Sequence, residues 1–168
     1  MRLTVYTDYT LRVMMYLAVR YREGGLATID EIARAYDISR NHLTKIVNEL
    51  GQTGFVMTVR GRSGGLRLAK DPTEISIGAI VRMAEKDFAI VACHDPETPA
   101  QCAIQPSCNL RRRLARAMDA FMAELDSMTL AESIAAPTVA ASLLGMTTQP
   151  VVMMPRKSAR ATTPAGKR

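Results

Sequence analysis

Residues 28–54 constrain the fold most. Thr28-Ile29-Asp30-Glu31 has the form of a capping box, in which the Thr28 and Glu31 side chains satisfy open backbone donors at a helix start, and Ile32, Ala33 and Tyr36 give that helix a buried stripe. Asp37-Ile38-Ser39 makes a tight connection. Ser39 is a good N-cap for a further helix whose core face is Leu43, Ile46, Val47 and Leu50, and Gly54 ends it. The opposite face carries Arg40, Asn41, His42, Thr44, Lys45 and Asn48, polar or cationic side chains that can reach base edges or phosphates. Two short helices joined by a tight turn, the second polar outward, form a helix-turn-helix pattern.

The flanking segments complete a domain around this pair. Before it, Leu11, Met14, Met15 and Ala18 recur at helical spacing between Thr7 and Tyr21, and Gly24-Gly25 stops the pattern. After it, Phe55–Arg60 and Leu66–Ala69 read as two strands joined by Gly61-Arg62-Ser63-Gly64-Gly65, whose glycines permit a tight hairpin. Such a hairpin is a wing, and Arg60, Arg62, Ser63 and Arg67 suit it for gripping a backbone or minor groove. The Lys-Ser/Thr that would make the glycine loop an enzyme's phosphate cradle is missing.

Charge separates along the chain. Residues 1–70 hold 11 Lys/Arg against 6 Asp/Glu, residues 71–132 hold 6 against 10, and the stretch beyond Glu132 holds 5 basic residues and no acidic one. A basic first half therefore points to a polyanion partner, which fits double-stranded DNA. With Trp absent and aromatics at 5%, aliphatic and Met side chains must fill the interior, as in compact helical folds. The apolar run Val13–Val19 is too short to cross a bilayer, and no secretory signal precedes the first helix, so a cytoplasmic protein without a membrane partner is expected.

After Asp71-Pro72, Ser76 can cap a helix over Ile77–Glu85, and Phe88–Ser107 reads as a loop rich in Pro, Asp and Cys. All three cysteines of the chain, Cys93, Cys102 and Cys108, lie in or beside it with C-x8-C-x5-C spacing. An odd number argues against a closed disulfide framework, and structural zinc usually draws closer pairs. Wider gaps suit an iron-sulfur cluster, with a 4Fe-4S cluster favoured and a 2Fe-2S cluster the alternative. Three thiolates leave a fourth ligand to find, for which His94 and a carboxylate from elsewhere in a dimer are the chemical candidates. From Asn109 onward, Leu114, Met118, Phe121, Leu125 and Met128 form the seam of a long helix packing on a partner helix, so a homodimer is expected. Arg111, Arg112, Arg113 and Arg116 crowd its start, where positive charge opposes the helix dipole and an anionic cluster or a phosphate would compensate. No nucleophile-base pairing or metalloprotease motif appears, so no enzyme is expected.

The opening Met1-Arg2-Leu3-Thr4 with Thr7-Asp8-Tyr9, the Ser39-Arg40-Asn41-His42-Leu43 run and the Arg60-Gly61-Arg62-Ser63-Gly64-Gly65 wing resemble the NsrR family of nitric-oxide-sensing repressors. The likeness continues through Cys102-Ala103-Ile104-Gln105-Pro106-Ser107-Cys108-Asn109-Leu110 and Ala123-Glu124-Leu125-Asp126 to Leu130-Ala131. It implies a homodimeric repressor whose cluster is held by the three cysteines of one subunit and by an aspartate at the position of Asp8 from the other. Asp8 also stands four residues before Arg12, which makes an ordinary ion pair its competing role. Related regulators of cluster biogenesis place a histidine ligand three residues after the last cysteine, where this chain has Arg111. Iron- or cluster-status-responsive regulators of the same superfamily are the nearest alternative, followed by a zinc-stabilised DNA-binding module.

The expectation is a mainly α fold with a small β-wing. It comprises a winged helix-turn-helix domain at 1–75, a cluster-binding loop and dimerisation helix at 76–132, and a disordered basic tail at 133–168, with a short helical fragment around Ala140–Leu144. DNA contacts fall to Ser39, Arg40, Asn41, His42, Thr44, Lys45, Arg60, Arg62 and Ser63, and nitric oxide is the expected signal.

Overall fold

A computed structural model describes residues 2–95 and 102–146. Six helices and one hairpin follow in the order α1 (Val5–Arg22), α2 (Ile29–Tyr36), α3 (Arg40–Gln52), β1 (Val56–Val59), β2 (Gly65–Leu68), α4 (Ile77–Ala84), α5 (Asn109–Ser127) and α6 (Pro137–Leu143). The mainly α architecture with a β-wing is the one expected.

Each helix of the motif begins where local chemistry demands. Thr28 Oγ1 accepts from the Glu31 amide at 3.2 Å while the Thr28 amide donates to Glu31 Oε2 at 2.6 Å, which completes the capping box. Asp37 ends α2 in the left-handed region at φ 52°, a conformation short polar side chains tolerate, and this turns the chain within two residues to the Ser39 cap of α3. Because the capping box closes two backbone donors, Thr28→Ala is expected to cost about 1 kcal/mol of stability, read as a lower urea midpoint at unchanged slope.

In the wing, Val56 pairs with Leu68 and Val59 with Gly65. The hairpin is anchored to the segment before α2 by a reciprocal pair, Ala27 N to Leu66 O at 2.9 Å and Leu66 N to Ala27 O at 2.7 Å. Backbone approaches at its turn so closely that a Cβ on Gly64 would stand 2.3 Å from the Val59 carbonyl oxygen. Only glycine fits there.

Helix α1 is the centre of the core. Val13, Met14, Tyr16, Leu17, Ala18 and Val19 are all buried, a wider face than its Leu11, Met14, Met15 and Ala18 stripe indicates. The reason is that α1 packs against α2, α3, α4, β2 and also α6. The short helical fragment expected around Ala140–Leu144 is here the helix α6, and the structure corrects the expectation of disorder around it as far as residue 146: α6 docks on α1, with Ala141 and Met146 buried. Residues 147–168 lie outside the described region.

A second correction concerns the long helix. Met128 is not part of it; its backbone is extended, and its carbonyl accepts from the Ile77 amide at 2.9 Å, turning the chain back toward the start of α4. Leu130 then enters the core fully buried. Met122 and Leu125 pack on the chain's own core, while Leu114, Met118 and Phe121 stay half-buried and Leu110 is 65% exposed. No residue of the 19-residue α5 is fully buried, so its first two-thirds offer an apolar seam only partly covered in one chain.

Candidate functional site

Two sites are built on this frame. The first is the outer face of α3 with the wing. Leu43, Ile46, Val47 and Leu50 point into the core, which turns Ser39, Arg40, Asn41, His42, Thr44 and Lys45 to the exterior, where all six are exposed. Thr44 Oγ1 donates back to the Arg40 carbonyl at 2.9 Å, and Arg40 pairs with Asp30 at 3.2 Å. Both ties are solvent-exposed and can be exchanged for phosphate at little cost. Lys45, Arg60 and Arg62 make no ion pair among the described residues, and Arg60, Arg62 and Ser63 are exposed at the wing tip. Free cations beside an outward-facing polar helix form a surface to which a polyanion can dock.

The second site is the cysteine segment. Cys93 lies in a 3-10 turn over Ala92–His94, and Cys102 and Cys108 flank another over Gln105–Ser107. All three are free thiols. Cys102 and Cys108 line one cavity of about 840 Å³ together with Ala103, Gln105, Pro106, Arg111 and Arg112. Cys108 is the N-cap of α5, its Sγ accepting from the Arg111 amide at 3.4 Å, so the partial positive charge of the helix start falls on that sulfur. Among the described residues no three His, Cys, Asp or Glu side chains converge closely enough to hold a single metal ion. A cluster several ångströms across makes no such demand. Thiolates with a helix N-terminus and two arginines facing one roomy cavity are a donor set that fits an anionic iron-sulfur cluster.

Asp8 sits apart from the cysteines of its own chain, lining a second cavity with Arg2, Leu3, Thr4, Val5 and Leu11. Its carboxylate bonds Arg12 Nε at 2.9 Å, the ion pair its spacing predicts, with half of the Asp8 side chain exposed. His94, the other candidate fourth ligand, directs Nε2 to the Arg111 carbonyl at 3.1 Å.

Three sets of contacts lead from the end of α4 through the first turn of α1 to α3, and sequence reasoning missed all of them. Glu85, at the end of α4, holds the first turn of α1: its Oε2 accepts from the Thr4 amide at 3.0 Å, Thr4 Oγ1 at 3.2 Å and Thr7 Oγ1 at 2.6 Å. Tyr6 then donates from its hydroxyl to Glu49 of α3, and burial followed by the Glu49 bond pushes that hydroxyl well above its usual titration range. Tyr9 stands against His42 with ring centroids 6.0 Å apart. Asp8 lies between these two tyrosines in sequence. The partners are 33 to 81 residues apart along the chain, and no periodic pattern marks them.

Comparison with known proteins accords with this geometry. Residues 3–136 match the Rrf2 family, described as iron-dependent transcriptional regulators. The chain is 48% identical over 134 residues to the HTH-type transcriptional regulator NsrR of Bacillus subtilis strain 168, a match covering 80% of this chain and 90% of that protein. It is 46% identical over 132 residues to the HTH-type transcriptional regulator NsrR of Geobacillus kaustophilus, covering 79% of this chain and 88% of that one. Among solved structures, CymR, the global cysteine regulator of B. subtilis, superimposes with a TM-score of 0.67 at 27% identity, over 80% of this chain and 97% of CymR. These relatives are named as regulators and not as enzymes. With the matched segment running from the first turn of α1 to the start of α6, the chain belongs to the Rrf2 family of transcriptional regulators.

Proposed function

We propose that this regulator is a homodimeric DNA-binding repressor that senses nitric oxide through an iron-sulfur cluster held by Cys93, Cys102 and Cys108, and by Asp8 of the opposite subunit. The observation that carries the proposal is the cationic cavity at the start of α5, where two of the three free thiols meet Arg111 and Arg112. The family's description as iron-dependent, and the resemblance in sequence to nitric-oxide-sensing repressors, support it.

The half-buried seam of Leu114, Met118 and Phe121 suits α5 to pack on the same helix of a second copy. Within such a dimer, two α3 helices can enter successive major-groove half-sites, with Arg60, Arg62 and Ser63 on the adjacent backbone. When bound, the cluster supplies irons that nitric oxide attacks. Asp8 would hold it with a carboxylate of which only Oδ2 is engaged here, in an exposed pair with Arg12 worth a few tenths of a kcal/mol. Once ligated, Asp8 would fix the first turn of α1, and Tyr6 and Tyr9 would pass that constraint to Glu49 and His42 of α3. Without that ligand the turn would lose that constraint and keep its bonds to Glu85.

The test is protein purified without oxygen, with iron and sulfide measured and a DNA duplex selected from a random pool as probe. Expected are a visible chromophore, tight binding, and release when nitric oxide bleaches the colour. Release on iron removal with indifference to nitric oxide would establish an iron-responsive regulator instead, and full binding by iron-free protein would defeat the sensor altogether. Lys45 gives a separate check of the interface. Lys45→Ala is expected to weaken binding several-fold on every sequence and to lower the salt slope by about one, whereas a loss confined to the selected duplex would show that Lys45 reads a base.

A further inference from the structure

One residue joins the two ends of the cysteine segment. The Arg111 amide donates to Cys108 Sγ at 3.4 Å, its guanidinium Nε donates to the Cys93 carbonyl at 3.3 Å, and its own carbonyl accepts from His94 Nε2 at 3.1 Å. A carbonyl can only accept, so His94 must carry its proton on Nε2. The contacts with Cys93 and His94 run in opposite directions between the same two segments, 17 and 18 residues apart. Neither depends on a metal. The neighbouring Arg112 is engaged differently, its guanidinium turned to Asn109 on its own helix.

We propose that Arg111 and His94 form a clasp that sets the first cysteine turn against the N-terminus of α5, so that Cys93 and Cys108 are placed before any cluster arrives. Arg111 is thus a positioning residue, and the charge it carries is secondary to where its Nε–H points. An alternative account makes all the arginines at the start of α5 a diffuse counter-charge. The two accounts differ in what lysine can replace, since Lys keeps the charge but cannot reproduce a planar Nε–H beside the chain. They also differ for His94, whose N–H donor Gln can mimic and Ala cannot.

That Cys93 and Cys108 belong to a cluster rests on the function proposed above; the clasp itself does not, and the experiment separates them. In the full-length chain, reduced and metal-free, the His94 backbone amide bonds the Val91 carbonyl at 2.8 Å and reports whether the cysteine turn is held. Its hydrogen exchange, followed by NMR, is expected to quicken about tenfold in Arg111→Ala and in Arg111→Lys, and to stay unchanged in Arg112→Ala, as one lost hydrogen-bonded contact would produce. In anaerobically prepared protein the visible circular dichroism of the cluster should change. Its loss to a chelator should also quicken about tenfold in Arg111→Lys and His94→Ala, recover in His94→Gln, and worsen no further in the His94→Ala/Arg111→Ala double variant. Unchanged amide exchange in Arg111→Ala, or a cluster lifetime fully kept by Arg111→Lys, would overturn the clasp. A colourless wild-type protein whose His94 amide still responds to Arg111→Ala would overturn the cluster and leave the clasp standing.

Discussion

Cys102→Ser is expected to give a folded, colourless protein that binds its selected duplex at least a hundredfold more weakly than the anaerobically prepared wild type. Of the three cysteines, Cys102 isolates the ligand effect best. Cys108 caps α5, and serine is itself a strong N-cap, so Cys108→Ser would alter the helix start along with the ligand. Cys93 is bound into the contacts with Arg111. Cys102 is exposed, and among the described residues its backbone carbonyl accepts from the Gln105 amide at 2.9 Å, a bond that serine keeps. Folding should therefore survive, with far-ultraviolet circular dichroism and the urea midpoint as controls. A hundredfold change in affinity requires about 2.8 kcal/mol of coupling between sites, within the usual allosteric range. The structure offers part of a physical carrier for it: Glu85 binds the end of α4 to the first turn of α1, and Tyr6 and Tyr9 bind that turn to α3. A colourless variant that grips the duplex as tightly as wild type would show that these contacts transmit nothing from the cysteines.

What could be read in the sequence was whatever local chemistry writes into neighbouring residues. The Thr28–Glu31 box, the Ser39 and Ser76 caps and the glycines of the wing each act within about five residues, and each appears where expected. The exposed face of α3 followed because a helix that buries Leu43, Ile46, Val47 and Leu50 has only one other face to show. The cysteines declared themselves by sharing one segment. The connections between these parts were hidden, since Glu85 and Thr4 are 81 residues apart, and a carboxylate at the end of a helix looks like any solvated charge. Helix α6 was legible in principle. Pro137 stands at its first turn and Gly145, at φ +66°, just past its end, the usual asymmetry of helix boundaries. Its short length and an Ala- and Thr-rich composition let only a fragment around Ala140–Leu144 show and hid its docking on α1.

The packing of α4 on α5 turns on a single missing methyl group. Gly78 lies in the first turn of α4, and a Cβ built there would stand 2.0 Å from Asp126 Oδ1, 2.8 Å from its Cγ and 3.0 Å from its backbone nitrogen. Asp126 cannot simply swing aside, because Arg82, one turn along α4, holds it by two hydrogen bonds, one of them 2.6 Å long, which also keep the Asp126 carboxyl below its usual titration range. Gly78→Ala must then break that pair or push α5 away, and at 3.0 Å the backbone nitrogen leaves little room for the first remedy alone. A gain in helix propensity of about 1 kcal/mol works in the opposite direction. Overpacking at a backbone contact outweighs it, and a net loss of about 2 kcal/mol is expected, a fall in melting temperature of roughly 5 °C. Arg82→Ala, which removes only the exposed pair, should cost less than about 1 kcal/mol. The double variant Gly78→Ala/Asp126→Gly tests the cause, because it clears the carboxylate and leaves the backbone nitrogen. Partial recovery is expected, the remainder combining the cost of glycine within α5, the lost Arg82 pair and the contact at the backbone nitrogen. Because α4 and α5 bracket the cysteine segment, the same displacement should shorten the lifetime of any bound cluster, and a Gly78→Ala protein as stable as wild type would show that the two helices tolerate the extra atom by some other movement.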